Sequence, residues 1–320
     1  MALTFARIAG NRRINDGIPI ARDGNIMIYY VDDPIDILKE QHPEDAEDLV
    51  LNLVDDVADK LGISNISTKN LIDIDNDIIA NEIPTNRYGK RIVAKVKDEL
   101  GAMEAKFYRA KNTLSVVPPQ IEGQTSRIYI FGQSGSGKST WASKYALEYL
   151  AVNPGNRVFI MSRKEYDPAF DPVIPDLIRV KLDRNFVKEN RKKDPLDFYS
   201  DSLVIFDDFS KIPDTTIVKA VDQLKNSLLE LGRQYNTNII SIQHKGLGGL
   251  KSAAELSECT SLVCFPRQNP RESMNVYKKY LLFGNEAMKR IFDDDGMRER
   301  WMYILKPNII VTENYIKIID

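Results

Sequence analysis

Gly132-Gln133-Ser134-Gly135-Ser136-Gly137-Lys138-Ser139-Thr140 decides how this chain is read. The stretch fits G-x-x-x-x-G-K-[ST], with three glycines within six positions. Arg127-Ile128-Tyr129-Ile130-Phe131 precedes it and reads as a buried strand; Lys138 to Leu150 follows and reads as a helix. In that setting the run is a phosphate-binding loop. Its glycines let backbone N–H groups turn inward and approach a triphosphate closely. The helix start adds orphan N–H groups and partial positive charge. Gly132, Gln133, Ser134, Gly135, Ser136, Gly137, Lys138, Ser139 and Thr140 are therefore assigned to ATP. Lys138 is expected on the β- and γ-phosphates, and the Ser139 hydroxyl on Mg²⁺.

Working outward, the whole chain has 320 residues, 43% hydrophobic and 28% charged, with a net charge of −2. That is a globular profile without a global basic field, so any nucleic-acid contact has to come from local patches. No apolar run approaches the length of a membrane span. The opening MALTFARIAG lacks the apolar core of a secretory signal. Cys259 and Cys264 are the two cysteines. Their spacing matches no zinc pattern, so they are expected as buried thiols in a reducing, intracellular compartment.

Pro118-Pro119 and the polar residues after it read as a linker, dividing an accessory region, 1–120, from a core, 121–320. In the first region the clearest strand is Gly24–Val31. Residues 32–82 are acidic, with Glu44 to Leu61 spaced as an amphipathic helix. Residues 87–111 are basic, with Ile92, Val96, Leu100, Met103 and Phe107 as the apolar stripe of a second helix. That basic helix either binds nucleic acid, docks on the acidic helix or is a solvated face. The core alternates strand and helix. Arg157–Arg163, Leu177–Leu182, Leu203–Phe206, Asn238–Gln243 and Ser261–Phe265 read as strands, and Asp214 caps a long helix. This pattern gives an α/β fold, a mostly parallel sheet covered by helices on both faces. A helix near Glu286–Phe292 and a hairpin, Trp301–Lys306 with Ile309–Ile319 turning at Pro307-Asn308, close the chain.

Leu203-Val204-Ile205-Phe206-Asp207-Asp208 is an apolar strand ending in acids, the Walker B form. Strand carboxyl ends carry ligands in such sheets. Asp207 is expected to hold Mg²⁺ and Asp208 to orient and polarise the attacking water. Gln243 ends the strand Asn238–Gln243. If that strand lies between the loop strand and the acid strand, its amide faces the γ-phosphate. His244 reads as a loop residue. Arg233 is either a favourable cation at a helix end or an arginine finger for a neighbouring subunit.

Loop, paired acids, Arg233 and Gln243 together resemble the FtsK–HerA superfamily of DNA-pumping P-loop ATPases. The discriminating segment is Leu228-Leu229-Glu230-Leu231-Gly232-Arg233-Gln234-Tyr235-Asn236-Thr237-Asn238-Ile239-Ile240-Ser241-Ile242-Gln243-His244. The form of the loop is similar to the poxvirus-type genome-packaging ATPases of large DNA viruses. The resemblance covers about residues 127–265. It implies a RecA-like core and a homo-oligomeric ring, commonly hexameric, that threads double-stranded DNA at the cost of ATP. It further implies capsid or other viral proteins as partners, in the cytoplasm or viral factory of an infected cell. On it, Gln243 matches the sensor and Arg233 the residue completing a neighbour's site. Asp208 departs from the Glu of many members, and residues 1–120 match no family domain.

Backbone phosphates are contacted by Lys, Arg and N–H groups. Lys245 and Lys251, in the glycine-rich stretch Lys245–Ser252, are either such contacts or part of a surface loop, and Arg184–Lys193 is a second basic segment. The expected function is an ATP-hydrolysing DNA translocase that packages a viral genome. The alternative is a nucleotide-dependent assembly factor or switch that binds a protein partner. A small-molecule phosphotransferase ranks last, because the paired acids suit water activation and no acceptor lid is evident.

Overall fold

The computed structural model describes residues 2–7, 18–31, 107–119, 123–192, 195–246, 250–280, 288, 291–292, 294–306 and 309–318. The acidic helix, nearly all of the basic helix, most of Glu286–Phe292, the Pro307-Asn308 turn and residues 247–249 lie outside them.

Two compact units are present. Met1–Ile18 and Asn25–Tyr108 form one, and Pro19–Gly24 with Arg109–Asp320 the other. In the first, β1 (Ala2–Arg7) and β3 (Ile26–Val31) run antiparallel, from Ala2 opposite Val31 to Arg7 opposite Ile26. β2 (Ile18–Asp23) lies almost wholly in the second unit, where Ala21 and Arg22 pair with β5 (Ser115–Val116). The buried Asp23 accepts from the N–H groups of Lys111 and Asn112, at 2.8 and 2.9 Å, which fixes the chain just after β4 (Phe107–Arg109).

The large sheet of the second unit is built on β6 (Arg127–Phe131), the strand feeding the phosphate loop. The chain then runs through α1 (Lys138–Val152), β7 (Arg157–Ser162), β8 (Ile178–Arg179), α2 (Arg184–Lys192), α3 (Pro195–Phe198) and β9 (Ser202–Asp207). Next come α4 (Thr215–Leu231), β10 (Thr237–Gln243), α5 (Leu250–Glu258), β11 (Ser261–Cys264), α6 (Pro270–Tyr280) and α7 (Asp294–Arg298). Three strands finish it: β12 (Met302–Leu305), β13 (Ile309–Thr312) and β14 (Tyr315–Ile318).

From one side the order is β14-β13-β12-β11-β6-β10-β9-β7-β8. β11 through β8 are parallel, and β11 to β14 pair antiparallel. The strands are short continuous apolar runs because both faces are covered. Tyr129 and Phe131 pack with Leu256 of α5 and with Val276 and Tyr277 of α6. Beside them, Val204, Phe206 and Ile239 pack with Val221, Leu224 and Leu228 of α4. Strand alternation turns Ile128 and Ile130 to the other face. There Trp141 of α1 stacks on Tyr303, 5.7 Å between ring centres, and Tyr303 lies beyond Val263 in register with Ile130. Cys259 and Cys264 are buried free thiols, and burial pushes Cys264 up to about 12.

One expectation is corrected. The C-terminal segment is a three-stranded meander rather than a hairpin, because Ile309–Ile319 breaks at Glu313-Asn314. The Thr312 hydroxyl accepts from the N–H groups of Asn314 and Tyr315, at 3.1 and 3.0 Å, and closes a tight turn there.

Candidate nucleotide site

The decisive positioning element is the strand order β6-β10-β9. It brings the loop after Phe131, the carboxyl end of β10 at Gln243 and the acids ending β9 to one edge of the sheet. In register, Gln243 stands beside Phe131 and Ile242 beside Asp207. β10 therefore occupies the place the Gln243 argument required.

Within the loop, Gly135 and Gly137 hold φ of 79° and 100°, values costly for any side chain. Gly132 has a different constraint: a Cβ there would stand 2.9 Å from the Phe265 ring. Its N–H donates to the carbonyl of Gln243 at 3.3 Å, tying the start of the loop to β10. Lys138 is buried, and its ammonium donates to the carbonyls of Gly132 and Gln133, both at 2.8 Å. Burial lowers its pKa, against the opposing pull of Asp207 and Asp208. The Ser136 hydroxyl is buried in the loop without a hydrogen-bond partner.

Asp207 is only 4% exposed. Burial first, then the neighbouring Asp208 charge, pushes its carboxyl up to about 6. Its place in β9, level with Ile242, puts it on the α1 face. Asp208 leaves the strand in the left-handed conformation, φ 53° and ψ 18°. Asp adopts that region more readily than most other side chains do. Burial acts to raise its carboxyl, but the hydrogen bond and charge of His244, helped by Lys211, outweigh this and hold it below the usual range. His244 Nε2 lies 2.6 Å from Asp208 Oδ1, and Lys211 Nζ lies 3.3 Å from the same oxygen. Lys211 Nζ also lies 2.9 Å from His244 Nε2, so the three side chains form one cluster.

The residues present fit a Mg²⁺-nucleotide. The loop offers two positive-φ glycines, a buried ammonium and an unpartnered hydroxyl. Asp207 carries a raised carboxyl beside a second carboxylate, a cost a divalent cation relieves. Ser139, at the first turn of α1, and Asp207 are the residues that would hold the ion.

Gln243 and Arg233 sit differently. β10 alternation puts the Gln243 side chain with Ser241 on the α5 face, opposite Asp207. There its amide donates to Ser241 Oγ at 3.2 Å and approaches Glu255 Oε2 at 3.5 Å. Gln243 thus meets the loop through its main chain and a buried network through its side chain. Arg233 is exposed on the 3₁₀ turn Gly232–Tyr235, just before β10 begins. It stands at the amino edge of the sheet, the edge away from its own phosphate loop. Sequence reasoning left four contributors unnamed: His244 as a partner of Asp208, Lys211, Lys225 and Glu255. Lys225 lies four residues after Val221 on the buried stripe of α4, and Ser241 interrupts an otherwise apolar strand. Those were the available signals.

No family model matches the chain. An uncharacterized protein, V3 of the Sputnik virophage, is 30% identical over 227 residues, which span 70% of this chain and 85% of that protein. The chain belongs to the V3 family. Among solved structures, the genome packaging NTPase B204 from Sulfolobus turreted icosahedral virus 2, in complex with AMP, overlaps at a TM-score of 0.36 and 14% identity, over 58% of this chain and 94% of that one. EssC (ATPases 2 and 3) from Geobacillus thermodenitrificans overlaps at 0.42 and 14% identity, over 64% of this chain and 42% of that one. The pCW3 conjugation coupling protein TcpA overlaps at 0.39 and 16% identity, over 62% of each chain. The strand order and the loop define the fold of this V3-family member without them: its core is a mostly parallel α/β sheet of the P-loop kind, with β10 inserted between the loop strand and the acid strand. Among the described residues no helix is long and apolar enough to cross a membrane.

Proposed function

We propose that this protein hydrolyses ATP to drive double-stranded DNA, packaging a viral genome as a ring of identical subunits. The observation that carries the reading is the meeting, at one sheet edge, of the phosphate loop, Asp207 and Asp208. Kinship with a virophage protein supports the viral setting. The triphosphate lies along the loop, its β- and γ-phosphates on Lys138 once the ammonium leaves the loop carbonyls. Ser139 and Asp207 would hold Mg²⁺, which would supply positive charge against the triphosphate. Asp208, kept ionised by His244 and Lys211, orients a water whose oxygen attacks the γ-phosphorus. The bond to the β–γ bridging oxygen breaks, giving ADP and phosphate. Arg233 reaches the site of an adjacent copy, since it faces away from its own.

The test is ATP turnover by the full chain with and without double-stranded DNA, together with its native mass under both conditions. DNA-stimulated turnover by an oligomer agrees with the proposal. Unstimulated turnover by a monomer refutes the translocase and leaves an ATP-dependent switch.

A further inference from the structure

Beyond Gly137 the phosphate loop opens into a cleft walled by Thr140, Trp141, Phe265, Arg300, Trp301 and Glu313. None of these except Thr140 belongs to the phosphate machinery above. Direction along the loop follows from the acids: the γ-phosphate end lies toward Lys138, Asp207 and Asp208. The α-phosphate end then leaves past Gly137 and Thr140, and whatever it carries enters this cleft.

The walls suit a nucleoside. A Cβ on Gly137 would stand 3.5 Å from the Arg300 guanidinium and 3.7 Å from the Phe265 ring, so the glycine leaves the passage open between them. Arg300 is an exposed side chain, and a planar guanidinium stacks on aromatic faces. The wall behind is a packed aromatic cluster. Trp141 meets Trp301 edge-on at 6.2 Å and stacks on Tyr145 at 5.5 Å. Glu313 supplies a carboxylate acceptor, and its Oε1 takes the main-chain N–H of Arg300 at 3.3 Å, which holds the two residues as one unit.

We propose that this cleft is the nucleoside half of the nucleotide site, with the base stacked against Arg300 and the ribose hydroxyls donating to Glu313, so that the preferred ligand is a ribonucleoside triphosphate. The proposal rests on the nucleotide reading of the phosphate loop and assigns the part that reading leaves open.

The chain has two tryptophans, and both line the cleft, so their emission reports its occupancy directly. Full-length protein is titrated with ATP, dATP and inorganic tripolyphosphate. ATP should change tryptophan emission, and tripolyphosphate should displace ATP while leaving the emission of the free protein unchanged. Arg300→Ala should weaken ATP about two- to fivefold, the scale of an exposed guanidinium–ring contact, with tripolyphosphate affinity unaltered. Glu313→Gln should reduce a roughly tenfold ATP-over-dATP preference to about twofold or less. If ATP is hydrolysed but neither changes emission nor responds to Arg300→Ala, the cleft assignment is overturned and the phosphate-loop reading stands. If neither ATP nor tripolyphosphate binds, both fall together.

Discussion

Lys225 and Glu255 pair inside the protein, ammonium to carboxylate, with only 3% and 8% of their side chains exposed. The second Glu255 oxygen accepts from Ser241 at 2.7 Å and lies near the Gln243 amide, while the Lys225 ammonium sits 5.1 Å from the centre of the Phe209 ring, the residue after Asp208. Breaking a buried pair from one side strands a charge, at roughly 3–5 kcal/mol. Lys225→Met should therefore destabilise the protein by about 3 kcal/mol or more, whereas Lys225→Met with Glu255→Leu should recover much of that loss. Denaturant unfolding of both singles and the double checks it. Strict additivity would show that the pair is not coupled.

Asp207 gives a pH dependence of defined sign. Its folded carboxyl is raised to about 6, above the ordinary carboxylate value, so between about 4 and 6 the folded state binds more protons than the unfolded one. Its ionisation thus removes stability as pH rises through that window. Without metal, Asp207→Asn should raise thermal stability at pH 7.5, by an amount on the order of 2–3 kcal/mol. That gain should shrink as pH falls toward 4. Melting curves in chelator across this range decide it, and a gain that does not vary with pH contradicts the assignment.

His244 should act through Asp208. Removing a charge-assisted hydrogen bond costs roughly 1.5–3 kcal/mol. His244→Ala should thus lower kcat about tenfold with little change in KM. Because His244 helps hold the Asp208 carboxyl low, its loss lets that carboxyl rise, and the acid limb of the pH–rate profile should move to higher pH. A drop in kcat with an unmoved acid limb would assign His244 a packing role only.

Arg233 and Lys138 should complement each other between copies. Either Arg233→Ala or Lys138→Ala alone should reduce turnover at least about 100-fold, by loss of transition-state charge stabilisation. Mixing the two inactive proteins pairs an intact loop with an intact arginine at some interfaces, so turnover should partly return. Two variants that stay inactive when mixed would argue against action in trans.

The parts of the fold legible in the sequence were those fixed by near neighbours. Loop glycines, the Asp214 cap whose carboxylate accepts from the Thr216 N–H, and the apolar strand ending at Asp207 each depend on a few consecutive residues. The side on which Gln243 works was not so legible, since it depends on the β10 register against two strands far apart in the chain. The same holds for Lys225 and Glu255, 30 residues apart, and for His244 and Asp208, 36 apart. Arg300 and Glu313 met the loop only because the terminal meander joins the sheet beside β11. The break in that meander turned on a single side chain, Thr312, whose hydroxyl outcompeted continued strand pairing.

β10 has a mechanical consequence. It pairs with β6 over Ile239–Gln243 and with β9 over Thr237–Ile242, and its seven residues span roughly 23 Å at about 3.3 Å each. Such a segment neither stretches nor bends easily. At one tip its carbonyl holds the first residue of the phosphate loop; at the other, Thr237 packs against Gly232, beside the turn that carries Arg233. A shift at the loop would be carried along this strand toward the far edge. One strand and a single hydrogen bond thus join the first residue of the phosphate loop to the turn that carries Arg233, across the full width of the sheet.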